Sequence, residues 1–174
     1  MKQLILGGAR SGKSTLAERL AADSGLDVVY VATGWAGDAE MERRIAAHRA
    51  GRDPSWRTVE EPLDLAAVLS RESAPGRFML VDCLTLWLSN HLGGPGGGGT
   101  WPEARAALLD VLPDLPGTVC LVSNEVGQGV VPLGEGNRRF VDESGWLHQA
   151  VAERCDRVVF VTAGLARTLK GDAP

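Results

Sequence analysis

The sequence is poor in several features that would reveal a function by composition alone. Its three cysteines, Cys83, Cys120 and Cys155, show no short metal-ligand spacing, and an odd, unpatterned count argues against a disulfide framework. A reducing, cytoplasmic setting is the expectation that follows. No apolar run approaches the roughly 18 residues that a membrane span needs, so none is predicted. The amino-terminal apolar run is too short for a signal peptide. Asp and Glu (22) outnumber Lys and Arg (18), for a formal net charge of −4, and no basic run marks a nucleic-acid groove. Five tryptophans stand against one tyrosine and three phenylalanines, which hints at exposed aromatic surface for contacts. What the chain does have is 174 residues, 44% of them hydrophobic. That suits a single domain over 1–174 with a sizeable core and does not suit a disordered chain.

The most informative segment is GGARSGKS at positions 7–14. It follows the apolar run Leu4-Ile5-Leu6 and opens an amphipathic helix, which is the strand–turn–helix context of a phosphate-binding loop. Gly7, Gly12, Lys13 and Ser14 fill the G-x-x-x-x-G-K-S template, with Gly8, Ala9, Arg10 and Ser11 between them. Backbone N–H groups of such a loop and of the helix N-terminus converge on an anion. Lys13 adds positive charge near the β- and γ-phosphates, and the Ser14 hydroxyl is placed to ligate Mg²⁺.

Apolar runs and helical patterns alternate along the rest. Strands are predicted at 3–6, 27–32, 56–59, 77–82, 118–123 and 157–162, the last being the final strand. Helices are predicted at 13–24, 38–50 (capped by Asp38), 63–71 (entered through Pro62), 83–91, 102–112 and 137–154. The tract at 93–99 reads as a loop. Continuous apolar strands separated by helices imply an α/β fold of the P-loop NTPase type, with a mostly parallel central sheet and helices on both faces. Ligands of such sheets bind at the carboxyl ends of the strands. That edge holds the 7–14 loop, Ala32-Thr33-Gly34, Asn124-Glu125 and Asp82. Asp82 ends its strand where a metal-holding carboxylate belongs.

The late strand gives Ser123-Asn124-Glu125-Val126, which does not match the Asn-Lys-x-Asp motif of a regulatory GTPase. A nucleotide-dependent switch is thereby disfavoured, whereas a small-molecule kinase needs no more than the loop and Asp82. Of the histidines, His91 adjoins the glycine tract and is read as a surface residue. His148 sits mid-helix as a partly buried or interface residue. His48, near the end of the 38–50 helix, is by position alone a surface group favoured by the helix C-terminal dipole.

Motif order adds a resemblance. GGARSGKS, then EMERRIAAHRAGR followed by WRTVEEP, then LVDCLTLWLSN, then LVSNEVGQGVVP resemble the bifunctional adenosylcobinamide kinase / adenosylcobinamide-phosphate guanylyltransferases of cobalamin biosynthesis, over nearly the whole chain. The resemblance implies a transferase that phosphorylates adenosylcobinamide with ATP or GTP. It then moves GMP from GTP onto adenosylcobinamide phosphate through a GMP-histidine, giving adenosylcobinamide-GDP and pyrophosphate. His48 matches the nucleophile and Lys13 the catalytic lysine of the loop. Nucleotide contacts fall on Gly7 to Ser14, on Ala32, Thr33 and Gly34, on Arg49, Ala50, Gly51 and Arg52, on Glu60 and on Asp82. Mg²⁺ falls to Ser14 and Asp82, and a homotrimer is implied. A kinase without the second step is the alternative, and His48 separates the two. The chain departs from the family pattern at His148, where Asn is usual. A neutral imidazole suits attack on phosphorus, and covalent relay through it is ordinary nucleophilic catalysis. At about 1.5 Å per residue, ten residues of helix carry His48 about 15 Å from Asp38. The expectation is therefore a helix that stands off the sheet or swings inward on GTP binding, hinged at Gly34, Gly37 and Gly51.

Overall fold

A computed structural model describes residues 1–37, 39, 42–43, 46, 49, 51, 53–93 and 101–174 of the chain. Its elements, in order, are β1 (Lys2–Gly7), α1 (Lys13–Asp23), β2 (Asp27–Ala32), β3 (Arg57–Glu60), α2 (Leu65–Glu72), β4 (Arg77–Asp82) and α3 (Leu84–Gly93). Then follow α4 (Trp101–Val111), a 3-10 turn (Leu112–Asp114), β5 (Thr118–Asn124), α5 (Glu135–Arg154), β6 (Arg157–Thr162) and β7 (Leu165–Lys170). The strands form one sheet in the order β3-β2-β4-β5-β1-β6-β7. All pairs are parallel except β6 with β7.

The apolar strands are continuous because both faces of the sheet are covered. Leu4 and Leu6 of β1, Val29 and Val31 of β2, and Met79 and Val81 of β4 face a core shared with α2 to α5. Ile5, Val28, Tyr30, Phe78, Leu80 and Cys120 face the other side, against Leu16, Ala17 and Ala21 of α1. The period of two is what puts alternate residues of each strand into different cores.

Several expectations change. The strand at 157–162 is not the last. Ala163 and Gly164, both with positive φ, make a two-residue turn into β7, which runs back along β6. β7 is exposed along most of its length and so carries no apolar run. α2 begins at Leu65, capped by Asp64, whose side chain accepts a hydrogen bond from the Ala67 N–H. The Pro62 carbonyl instead accepts one from Asn90 Nδ2. Of the predicted 38–50 helix, Ala39, Glu42, Arg43, Ala46 and Arg49 are helical and exposed. Asp38, its cap, lies outside the described residues, as do positions 94–100 of the glycine-rich loop.

His91 is a clear correction: it is buried, not a surface residue. Trp87 and Trp101, both fully buried, pack edge-on at 5.1 Å between ring centroids, and His91 meets Trp87 at 5.4 Å. Its Nε2 lies 3.2 Å from the Leu63 carbonyl, to which Trp87 also donates its indole N–H at 2.7 Å. This aromatic knot ties α3 to α4 and to the turn before α2. The tryptophans thus serve the core as well as the surface, with Trp35 and Trp146 exposed.

Trp87→Ala is expected to cost about 3–5 kcal/mol, because it leaves a cavity and strips a partner from the Leu63 carbonyl. Urea unfolding measures it, and a loss under about 1 kcal/mol would contradict this account of the core.

Candidate active site at the carboxyl edge of the sheet

β1 ends at Gly7, where the chain must leave a buried strand and turn into a helix with its N–H groups converging. Only glycine fits. A Cβ on Gly7 would stand 2.5 Å from both Ser11 Oγ and the Val161 carbonyl oxygen. Gly12 takes φ +95°, and Arg10 is also left-handed. The loop is tied from outside by the Gly164 N–H, which donates to the Ser11 carbonyl at 2.8 Å. Glu125 does the same from the other side, its N–H donating to the Gly7 carbonyl at 3.0 Å. Lys13 is buried and folds back over the loop, Nζ donating to the Gly8 carbonyl at 3.2 Å. Ser11 Oγ is buried without a hydrogen-bond partner among the described residues. Ala9 and Arg10 are exposed, and Ser14 is half-buried on the first turn of α1. Those first N–H groups have no intrahelical acceptor and so present donors to an anion.

Asp82 lies two strands along, at the end of β4. Tyr30 donates its hydroxyl to Asp82 Oδ2 at 2.9 Å, fixing one oxygen of the carboxylate. The donors that Ser14 and Asp82 offer are all oxygens, a set that fits a hard cation such as Mg²⁺ completed by water and phosphate. Thr33 closes β2 onto β4. Its Oγ1 donates to the Cys83 carbonyl at 2.7 Å and accepts the Cys83 N–H at 2.8 Å. Its own carbonyl accepts Asn90 Nδ2 at 2.7 Å. Thr33 is fully buried, so its side chain serves the frame, while Gly34 beyond it is half-buried.

Glu60 ends β3 at the level of Ala32 and Asp82, to which the strand register aligns it. It forms an exposed ion pair with Arg49. β3 is four strand positions from β1, about 19 Å at about 4.8 Å per strand. The edge therefore gathers the loop and Asp82 closely and sets Arg49 and Glu60 at its far end. Gly51 lies in a turn near Arg49. His48, Ala50 and Arg52 lie outside the described residues.

The sequence reading passed over one contributor and one contact. The contributor is Tyr30, whose signal was a lone tyrosine in an otherwise apolar strand, where a buried hydroxyl demands a partner. The contact is a trio at the end of β5, which joins the buried Ser123 and His148 to the half-buried Glu125. His148 Nε2 lies 2.7 Å from Ser123 Oγ, and its Nδ1 lies 3.7 Å from Glu125 Oε2. Burial drives the His148 pKa below 6.5, and the Glu125 carboxylate opposes that shift. Burial also holds the thiols protonated, with Cys83 up to about 11 and Cys155 up to about 12, so none of them is a thiolate nucleophile at neutral pH.

The family model for cobinamide kinase / cobinamide phosphate guanyltransferase matches residues 3–169. The chain belongs to this family. It is 64% identical over 172 residues to the bifunctional adenosylcobalamin biosynthesis protein CobP of Pseudomonas aeruginosa, covering 99% of each chain. It is 37% identical over 182 residues to the bifunctional protein CobU of Salmonella typhimurium, covering 98% of this chain and 100% of the relative. Among solved structures, the flagellar accessory protein FlaH from Methanocaldococcus jannaschii superposes with a TM-score of 0.53 at 13% identity, over 98% of this chain and 78% of that one. That likeness speaks for the P-loop fold alone. The family member described here is a transferase with two activities, cobinamide kinase and cobinamide-phosphate guanylyltransferase.

Gly7→Ala in this family member is expected to abolish nucleotide binding and to lower stability, because the methyl collides both with Ser11 Oγ in the loop and with the Val161 carbonyl of β6. Calorimetric titration with ATP or GTP checks it; affinity within threefold of wild type would show that the loop tolerates the methyl. A second expectation concerns pH. With its folded pKa below 6.5, His148 favours the native state fully above pH 6.5 and progressively less as pH falls below it. His148→Asn should therefore lose less melting temperature than wild type between pH 7 and pH 5. An equal loss would remove His148 from the acid response.

Proposed function

We propose that the enzyme carries out both reactions as a single nucleotide-binding domain over residues 1–174, using the edge formed by the 7–14 loop, Ala32–Gly34, Asp82 and Glu60. In the first reaction the loop holds ATP or GTP. Lys13 offsets charge on the β- and γ-phosphates, and the aminopropanol hydroxyl of adenosylcobinamide attacks the γ-phosphorus, expelling the nucleoside diphosphate. Ser14 and Asp82 are the residues that would hold Mg²⁺, which when bound neutralises phosphate charge. In the second reaction a ring nitrogen of His48 attacks the α-phosphorus of GTP, and pyrophosphate leaves. The phosphate of adenosylcobinamide phosphate then attacks the histidine-bound GMP, the N–P bond breaks, and adenosylcobinamide-GDP forms.

The observation that supports this reading is the Arg49–Glu60 pair. It sets the chain neighbour of His48 at the same carboxyl edge as the phosphate loop, although at its far end. Arg49, with Ala50, Gly51 and Arg52, is proposed to meet the guanine nucleotide there, arginine being suited to bidentate phosphate contact. GTP binding brings His48 to the α-phosphate by movement about Gly34, Gly37 and Gly51. A homotrimer with its sites near subunit boundaries is part of the proposal. The exposed apolar side chains Val130, Val131, Leu133, Trp146 and Leu165 are available to such contacts. A cytoplasmic setting is supported by three free, buried cysteines. Among the described residues no helix is long and apolar enough to cross a membrane.

GTP labelled at the α-phosphate is expected to leave an acid-labile, base-stable label on the protein. His48→Ala should abolish the label and GMP transfer while phosphorylation continues within about threefold. Absence of label from an enzyme that still phosphorylates would favour a kinase without the second step. Equal loss of both activities in His48→Ala would contradict the division of roles.

A further inference from the structure

Phosphorylation of a hydroxyl leaves one proton to be taken up, and the Asp82 carboxylate, itself a possible base, is engaged by the Tyr30 hydroxyl and by the proposed metal. One unassigned carboxylate stands at the right edge. β5 lies between β1, which delivers the phosphate loop, and β4, which delivers Asp82. Its register sets Asn124 beside Gly7 and Val122 beside Asp82. Glu125 is the next residue, and its N–H is bonded to the Gly7 carbonyl at 3.0 Å, so its position relative to the loop is fixed by backbone. Its side chain is held at one oxygen and faces a ring nitrogen with the other. Oε1 accepts the Gly127 N–H at 2.6 Å, and Oε2 faces His148 Nδ1 at 3.7 Å. His148 is in turn held by the fully buried Ser123, Oγ to Nε2 at 2.7 Å. The consistent proton arrangement has the Ser123 hydroxyl donating to Nε2 and the hydrogen of the neutral ring on Nδ1, toward the carboxylate. A neutral ring there faces Glu125 with an N–H and orients its carboxylate without adding a charge beside it.

We propose that Glu125 is the general base of the phosphorylation step, with His148 and Ser123 as positioning residues for it. The assignment rests on the kinase activity described above. As the acceptor oxygen bonds to the γ-phosphorus, its O–H bond breaks and the proton passes to a Glu125 carboxylate oxygen. The bond from the γ-phosphorus to the β,γ-bridging oxygen breaks, and its electron pair leaves with the nucleoside diphosphate. His148 comes from α5, 25 positions from Ser123, and the trio it completes is anchored beside the loop by the Glu125 N–H on the Gly7 carbonyl.

Glu125→Gln separates this role from a purely structural one, because the glutamine carbonyl still accepts the Gly127 N–H while the basic oxygen is gone. Phosphorylation of cobinamide should lose about 100-fold in kcat, at the lower end of what a general base contributes. KM for cobinamide and the affinity for a non-transferable triphosphate analogue should change less than threefold. His148→Leu should lose about tenfold in kcat with KM unchanged. His148→Asn, whose Nδ2 stands where ring Nδ1 does, should recover to within threefold of wild type. A Glu125→Gln enzyme with kcat within threefold of wild type would overturn the proposal, as would loss of triphosphate affinity in proportion to kcat. Failure of the asparagine to recover what the leucine loses would overturn the positioning role. Wild-type protein that does not phosphorylate cobinamide would overturn both the proposal and the kinase reading beneath it.

Discussion

The parallel pairing of β1 with β5 is the interaction on which the site depends. It runs from Lys2 opposite Val119 to Gly7 opposite Asn124 and ends with the Glu125 N–H on the Gly7 carbonyl. Both strands are buried along nearly their whole length, so neither can slip by one residue without exchanging its entire side-chain set between the two cores. That constraint holds the start of the phosphate loop against the end of β5. Because β5 also pairs with β4, it holds Asp82 at a set distance from the loop as well. The loop itself is short of internal bonds. Its shape comes from two glycines at sites where a side chain would collide or strain, and from tethers supplied by β5 and by the β6–β7 turn.

Polar groups inside this frame are arranged in closed sets. Thr33 and Cys83 exchange two hydrogen bonds, and Asn90 serves the carbonyls of Thr33 and Pro62 together. Thr85 is shared by Asn124 and Cys83. Each satisfied set avoids the penalty of an unpaired buried group, about 1–3 kcal/mol apiece, and each links two strand ends that carry site residues. Ser11 Oγ departs from this rule, buried and without a protein partner among the described residues, in the middle of the phosphate loop.

The strands were legible because a strand covered on both faces needs an unbroken apolar run, as in Asp27–Ala32 and Arg77–Asp82. The phosphate loop was legible because its chemistry is local. What was not legible depends on partners far along the chain. Tyr30 meets Asp82 across 52 positions, and His148 meets Ser123 across 25. His91 looked exposed because Trp101, which helps bury it, lies beyond the glycine tract. β7 escaped notice because an exposed edge strand lacks the apolar signal, leaving only a two-residue turn with glycine to announce it. His48 is a different case. Its position gave no reason to assign it chemistry, and the assignment came from the motif around it.

The two ends of the edge differ in how firmly they are held, and this bears on how one loop can serve two reactions. Near the loop, the contacts are buried and backbone-based. At the β3 end, the Arg49–Glu60 pair is exposed, with 62% and 54% of the two side chains open to solvent. An exposed pair of this kind contributes about 0–1 kcal/mol, so a bound phosphate can take over the guanidinium at little cost. In the proposed mechanism the γ-phosphoryl chemistry uses the buried, backbone-tied end, where Lys13, Ser14 and Asp82 stand. In the same proposal the α-phosphorus chemistry uses a nucleophile from the segment that leads into Arg49. On that proposal, a firmly held end for the triphosphate and an exchangeable ion pair at the other end reconcile a fixed loop with attack at two different phosphorus atoms.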